Sequence, residues 1–161
     1  MRKTRALVLA VLLTCAATGA FAAAKGSGWA VGGEGALYLA GSGGLPMSAM
    51  LLLHVPQVPL MFGIGATTTP SIGVTADYWA AHGNLVSILS WYLGVGAYLL
   101  VDLGSEATIG VGGRIPIGLQ AWPIGNTLEI FLEIAPAVGV IVVPTAFDWH
   151  LQGAIGLRVW L

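Results

Sequence analysis

Glycine alternates with a bulky apolar residue in Phe62-Gly63-Ile64-Gly65, Leu93-Gly94-Val95-Gly96 and Ile109-Gly110-Val111-Gly112. A repeat of two is the period of an extended strand, whose successive side chains point to opposite faces. In a helix these glycines would scatter around the axis, each costing about 1 kcal/mol relative to alanine. As strands they gather the glycines on one face. That face belongs where room is short, as inside a narrow barrel.

The second constraint is a shortage of charge. The 161 residues are 57% hydrophobic and 8% charged, with mean hydropathy +0.87. A soluble chain carries about a quarter charged residues, so lipid is the expected solvent for most of this surface. Only helices and closed barrels cross a bilayer, because backbone amides find no water there. Leu85 to Val101 is the one charge-free stretch that invites a helix. Pro46, Pro56, Pro59, Pro70, Pro116, Pro123, Pro136 and Pro144 cut the rest too short for helices of about 20 residues.

The alternation marks eight strands: Trp29 to Leu39, Met47 to Val55, Leu60 to Thr68, Ile72 to Trp79, Leu89 to Val101, Ala107 to Ala121, Leu128 to Val142 and Trp149 to Leu161. Short clusters rich in Gly, Pro, Ser and Asn separate them, including His82-Gly83-Asn84 and Pro123-Ile124-Gly125-Asn126. Two faces follow. Ile109, Val111, Ile115, Ile117 and Leu119 oppose Gly110, Gly112, Arg114, Pro116 and Gln120, and Leu157 and Val159 oppose Gly156 and Arg158. Ionisable residues share faces with small or polar neighbours, which predicts apolar residues outside and polar ones inside. Counting across the turns predicts a lumen charge network of Glu34, Arg114, Glu133 and Arg158, with Glu133 shared by both guanidiniums and Glu34 joining through the closing seam. Glu129 and Asp77 are expected nearer a wet mouth, and Asp148 in an outer loop.

Trp29, Trp79, Trp91, Trp122 and Trp160 fall at one end of this trace, and Tyr38, Phe147 and Trp149 at the other. Aromatic residues gather at membrane interfaces, so two girdles are expected.

Arg2, Lys3 and Arg5 precede an apolar run to Phe21, and small residues follow at Ala20 to Ala24. That is the pattern of a secretory signal peptide over residues 1–24, leaving 25–161 as the barrel domain. Cys15, the only cysteine, leaves the mature chain without disulfides or thiol metal sites, although Leu12-Leu13-Thr14-Cys15 admits a lipoprotein alternative. Beyond the leader, Lys25, Arg114 and Arg158 stand against seven carboxylates, a balance of −4 that supplies no basic surface for nucleic acid.

The run Val111 to Gln120, the following Leu128 to Val140 and the ending Gln152 to Leu161 resemble the small eight-stranded outer-membrane barrels of spirochaetes, similar in architecture to the OmpA membrane domain. The resemblance implies an all-β, eight-stranded, antiparallel up-and-down transmembrane barrel in the outer membrane. Its partners would be outer-membrane lipids and, through a closing strand with Gly156, Val159 and Leu161, the barrel-assembly machinery. The expected role is structural or surface contact with a largely filled lumen. A narrow channel for small or apolar solutes is the alternative. A lipid-modifying enzyme would have to draw on His150, Asp148, Ser42, Ser71 or Ser105, which carry no motif, and the chain is read as non-enzymatic. No cofactor fingerprint or metal-ligand pair appears, and no surface ligand is specified.

The mature protein is expected to begin at Ala23 or Lys25. Mass spectrometry of its N-terminal peptide checks this, and an acylated Cys15 at the terminus would replace it with the lipoprotein reading.

Overall fold

The computed structural model describes residues 26, 28–42, 48–58, 60–104, 107–143 and 145–161. The expected leader, Cys15, Lys25, Ser105 and Glu106 lie outside the described residues. The strands are β1 (Ala30–Gly41), β2 (Ser48–Val55), β3 (Leu60–Thr67), β4 (Ser71–Val86), β5 (Leu89–Asp102), β6 (Thr108–Arg114), β7 (Ile117–Ile124), β8 (Leu128–Ile141) and β9 (Ala146–Trp160). Among the described residues there is no helix, and the apolar run from Leu85 to Val101 lies in β4, a tight turn and β5.

Every strand pairs antiparallel with its neighbours, and β1 pairs with β9, so the sheet closes into a ring. β6 and β7 together occupy one wall position between β5 and β8. The wall thus has eight positions, and the sixth expected strand is broken at Pro116. Proline has no amide hydrogen to give to a ladder. Gly94 N donates to Pro116 O at 2.8 Å and Ile115 N to Pro136 O at 2.9 Å, but neither proline can return the bond.

The stagger of the ring fixes its width. Ladder partners of Glu34 lead one way through Met50, Gly65 and Gly73 to Leu100, and the other way through Gly156, Phe131 and Gln120 to Ser90. The two routes reach β5 ten residues apart. With strands about 4.8 Å apart and a rise of about 3.3 Å per residue, eight positions with that shear tilt by about 41° around a backbone radius of about 8 Å. Such a lumen is filled by side chains.

Glycine makes the filling possible. A Cβ on Gly118 would collide with the Tyr92 ring, on Gly156 with Phe131, and on Gly112 or Gly139 with Tyr98. Tyr92, Phe131 and Tyr98 thus each lie over a bare stretch of the neighbouring strand. Outside, Gly35 has nothing within 4 Å of such an atom.

The faces follow the alternation. Ile117, Leu119, Ile130, Leu132, Ile155 and Leu157 are exposed, whereas Arg158 is 1% exposed. Two boundaries differ from expectation. β4 runs through His82-Gly83-Asn84 to Val86, because bulges at Trp79/Ala81 and Asn84/Val86 absorb the irregular residues and β5 pairs along its whole length. β9 begins at Ala146, so Asp148 is a strand residue and not part of a loop.

Gly118→Val should lower stability by about 1 to 3 kcal/mol, since Tyr92 must leave its rotamer, while Gly35→Val should be near neutral. Urea unfolding midpoints of the two variants test this packing; equal losses would refute it.

Candidate functional site: the charged lumen

Eight charged residues lie in the described part of the chain, and none is on the exposed surface. Asp77, Arg114, Glu129, Glu133, Asp148 and Arg158 are buried, and Glu34 and Asp102 are half-buried. Strand parity places them. Glu129, Phe131 and Glu133 share the inner face of β8, as do Asp148, His150, Gln152 and Arg158 on β9.

Near the end of the ring where both termini emerge, Glu129 is 0% exposed and its carboxylate takes three donors. Arg158 Nη1 donates to Oε1 at 2.5 Å, Gln120 Nε2 to Oε1 at 2.9 Å, and Trp160 Nε1 to Oε2 at 2.7 Å. Ser90 Oγ donates to Gln120 Oε1 at 3.1 Å and accepts from Trp122 Nε1 at 2.7 Å. The Arg158 guanidinium lies 3.6 Å from the Phe131 ring centroid and faces Trp79 and Tyr92 at 5.3 and 5.8 Å. Buried charge is tolerated where hydrogen bonds and an opposite charge replace water, and here π-faces add to both.

At mid-height, Arg114 is bracketed. Its Nη2 donates to Glu133 Oε1, its Nη1 to Gln152 Oε1 at 3.3 Å, and its Nε stands 3.3 Å from Asp77 Oδ1. Tyr92 O–H donates to Glu133 Oε2 at 2.5 Å, so this tyrosine joins the two layers. Toward the other end, Tyr98 O–H spans the lumen to Asp148 Oδ2 at 2.9 Å, and His150 Nδ1 lies 3.1 Å from the same oxygen.

The four residues expected to form one network therefore separate. Arg114 and Glu133 meet. Arg158 pairs with Glu129 and not with Glu133 or Glu34, because β9 starts three residues earlier than expected and so brings Glu129 directly opposite Arg158 in the ladder. Glu34 sits opposite Gly156, half-buried and within the field of Glu133, Arg114 and Arg158. Glu129 and Asp77 are not at a wet mouth, nor is Asp148 in a loop; all three are buried, Glu129 beneath the Trp160 indole, Asp77 beside Arg114 and Asp148 under Tyr98.

The tryptophans also divide. Trp122 and Trp160 are buried and Trp79 is partly buried, forming a cluster with His54 and Tyr92 inside the terminal mouth. His54 Nδ1 meets Gly28 O at 2.7 Å, which ties the chain's entry across that cluster. Of the five tryptophans expected at that end Trp29 is exposed and Trp91 half-buried, and Tyr38, Phe147 and Trp149 are exposed at the other end. Parity alone would have separated them. Trp160, Trp122 and Trp79 each stand two residues from an inward polar group, Arg158, Gln120 and Asp77, whereas Trp149 stands one residue from His150.

Of the residues named for a lipid-modifying enzyme, Ser71 Oγ bonds Thr67 and Thr69, Ser42 Oγ reaches the Trp149 backbone, and His150 Nδ1 lies beside Asp148. Among the described residues no three His, Cys, Asp or Glu side chains gather as metal ligands. No family model matches the chain, and neither the curated proteins nor the solved structures contain a match.

Glu129→Leu leaves Arg158 buried without its carboxylate and should cost about 3 to 5 kcal/mol. Adding Arg158→Met to Glu129→Leu should recover most of that loss, because both charges then leave together. Unfolding free energies of the single and double variants would show the coupling; additive losses would rule out the pair as a unit.

Proposed function

We propose that this chain is an integral outer-membrane β-barrel with a structural or surface-contact role and a closed lumen. One observation carries the reading: charge lies inside the ring and aliphatic side chains cover the outside, the inverse of a barrel dissolved in water. From Trp149 to Val159 the outer face of β9 is apolar over ten residues. At the tilt derived above that is about 25 Å of axial length, the height of an outer-membrane apolar band. Trp29 toward one end and Tyr38, Phe147 and Trp149 toward the other fit interfacial girdles. The two ion-pair layers and the indole cluster occupy the interior with buried side chains, which favours a plug over a channel. Connections of ordinary length leave only a small surface for contacts outside the membrane.

Purified protein inserted into planar bilayers should show no steady unitary conductance, and a stable open level would replace the closed reading with a channel. Ile155→Arg should cost about 2 to 4 kcal/mol in vesicles, as for a lipid-facing position near mid-membrane. Urea unfolding in phosphatidylcholine vesicles measures it, and a neutral effect would count against a lipid-facing wall.

A further inference from the structure

The hairpin of β4 and β5 runs on past its β3 neighbour, while on its other side β7 accompanies β5 to the tip, with Leu89 opposite Ala121 and Trp122 N donating to Ile88 O. β3 begins at Leu60, opposite Tyr78, whereas β4 continues to Val86. Eight further residues at the tilt of this ring rise by roughly 15 to 20 Å, allowing for the two bulges. On its β5 side this extension is fully paired, from Trp79 opposite Gly94 to Val86 opposite Leu89. On the other side no described strand lies beside it, so a row of backbone N–H and C=O groups faces outward. Its tip is aliphatic. Leu85, Val86, Ile88 and Leu89 are 56, 57, 56 and 40% exposed, and the hairpin between Trp79 and Tyr92 holds no Asp, Glu, Lys or Arg.

These features pull in opposite directions. An open strand edge cannot sit in hydrocarbon, where each unpaired backbone group costs several kcal/mol. Four exposed aliphatic side chains at the tip of a long hairpin are a poor fit to bulk water, where turns are ordinarily polar. The headgroup boundary of a bilayer satisfies both, because water there hydrates the edge while apolar side chains reach the acyl chains. A second copy is the wrong occupant. Antiparallel pairing of two such edges uses a two-fold axis perpendicular to the sheet, which would turn the second barrel upside down relative to the membrane.

We infer that the β4–β5 tip is a membrane-surface foot: Leu85, Val86, Ile88 and Leu89 insert into the headgroup–acyl boundary of the leaflet on the side where the termini emerge. The foot rests on the membrane reading proposed above. It sets the depth of the barrel and resists its sliding along the bilayer normal.

Single cysteines placed by Ile88→Cys and, separately, Ile155→Cys, the exposed residue nearest the middle of the β9 band, in a full-length Cys15→Ala background test it. Each carries an environment-sensitive fluorophore in phosphatidylcholine vesicles. Lipids brominated near the headgroup end of the acyl chain should quench the label at 88 at least twofold more than lipids brominated near the chain terminus. The label at 155 should show the reverse order. Quenching of 88 by aqueous iodide alone, with 155 still lipid-quenched, would overturn the foot and leave the barrel in the membrane. Shielding of 88 from both kinds of quencher would mean that a protein covers the tip and would equally overturn it. Failure of lipid quenching at 155 would instead remove the membrane reading.

Discussion

Closure of the sheet is the constraint on which everything else rests. β1 and β9 pair from Ala30 opposite Trp160 to Gly41 opposite His150, and that ladder turns a meander with two edges into a ring with none over most of its height. Closure with a shear of ten also sets the radius, and the radius decides what the interior can hold. At about 8 Å from axis to backbone, side chains from opposite walls meet. Tyr98 can therefore reach Asp148 across the lumen, and Tyr92 can touch Glu133 over a bare glycine.

Within that confined space the polar residues have few options. Water is scarce, so each carboxylate and guanidinium must find its partners among side chains. Glu129 illustrates the solution with donors from Arg158, Gln120 and Trp160. Indole N–H groups are well suited to this, supplying a donor along with a large apolar body. The rings at the terminal mouth therefore both fill space and satisfy charge. An aromatic residue at a strand end can serve an interior as well as a membrane interface.

Much of the wall was legible along the chain. Alternation assigned the eight places in the wall and their faces, though not the division of one place into β6 and β7, since each Cβ reverses direction at every residue and no neighbour can change that. Outward Leu157, inward Arg158 and the meeting of Arg114 with Glu133 came from the same rule together with short turns. What parity could not supply was register. Moving the start of β9 from Trp149 to Ala146 exchanged the partner of Arg158 and buried Asp148, because strand pairing propagates a loop-length error along the whole ladder. The break at Pro116 was similarly open, as a proline in a strand reads as a break only once its neighbours on both sides are known.

The sequence by itself determined that this chain forms strands, that charge belongs on one face and that the opposite face is aliphatic, all of them local consequences of period and composition. The tertiary structure alone decided which charges are paired, which tryptophans are roofed inside and where the β4–β5 hairpin runs on without a neighbour. Those depend on shear, bulges and the lengths of turns, which act through the closed ring and not through any single strand.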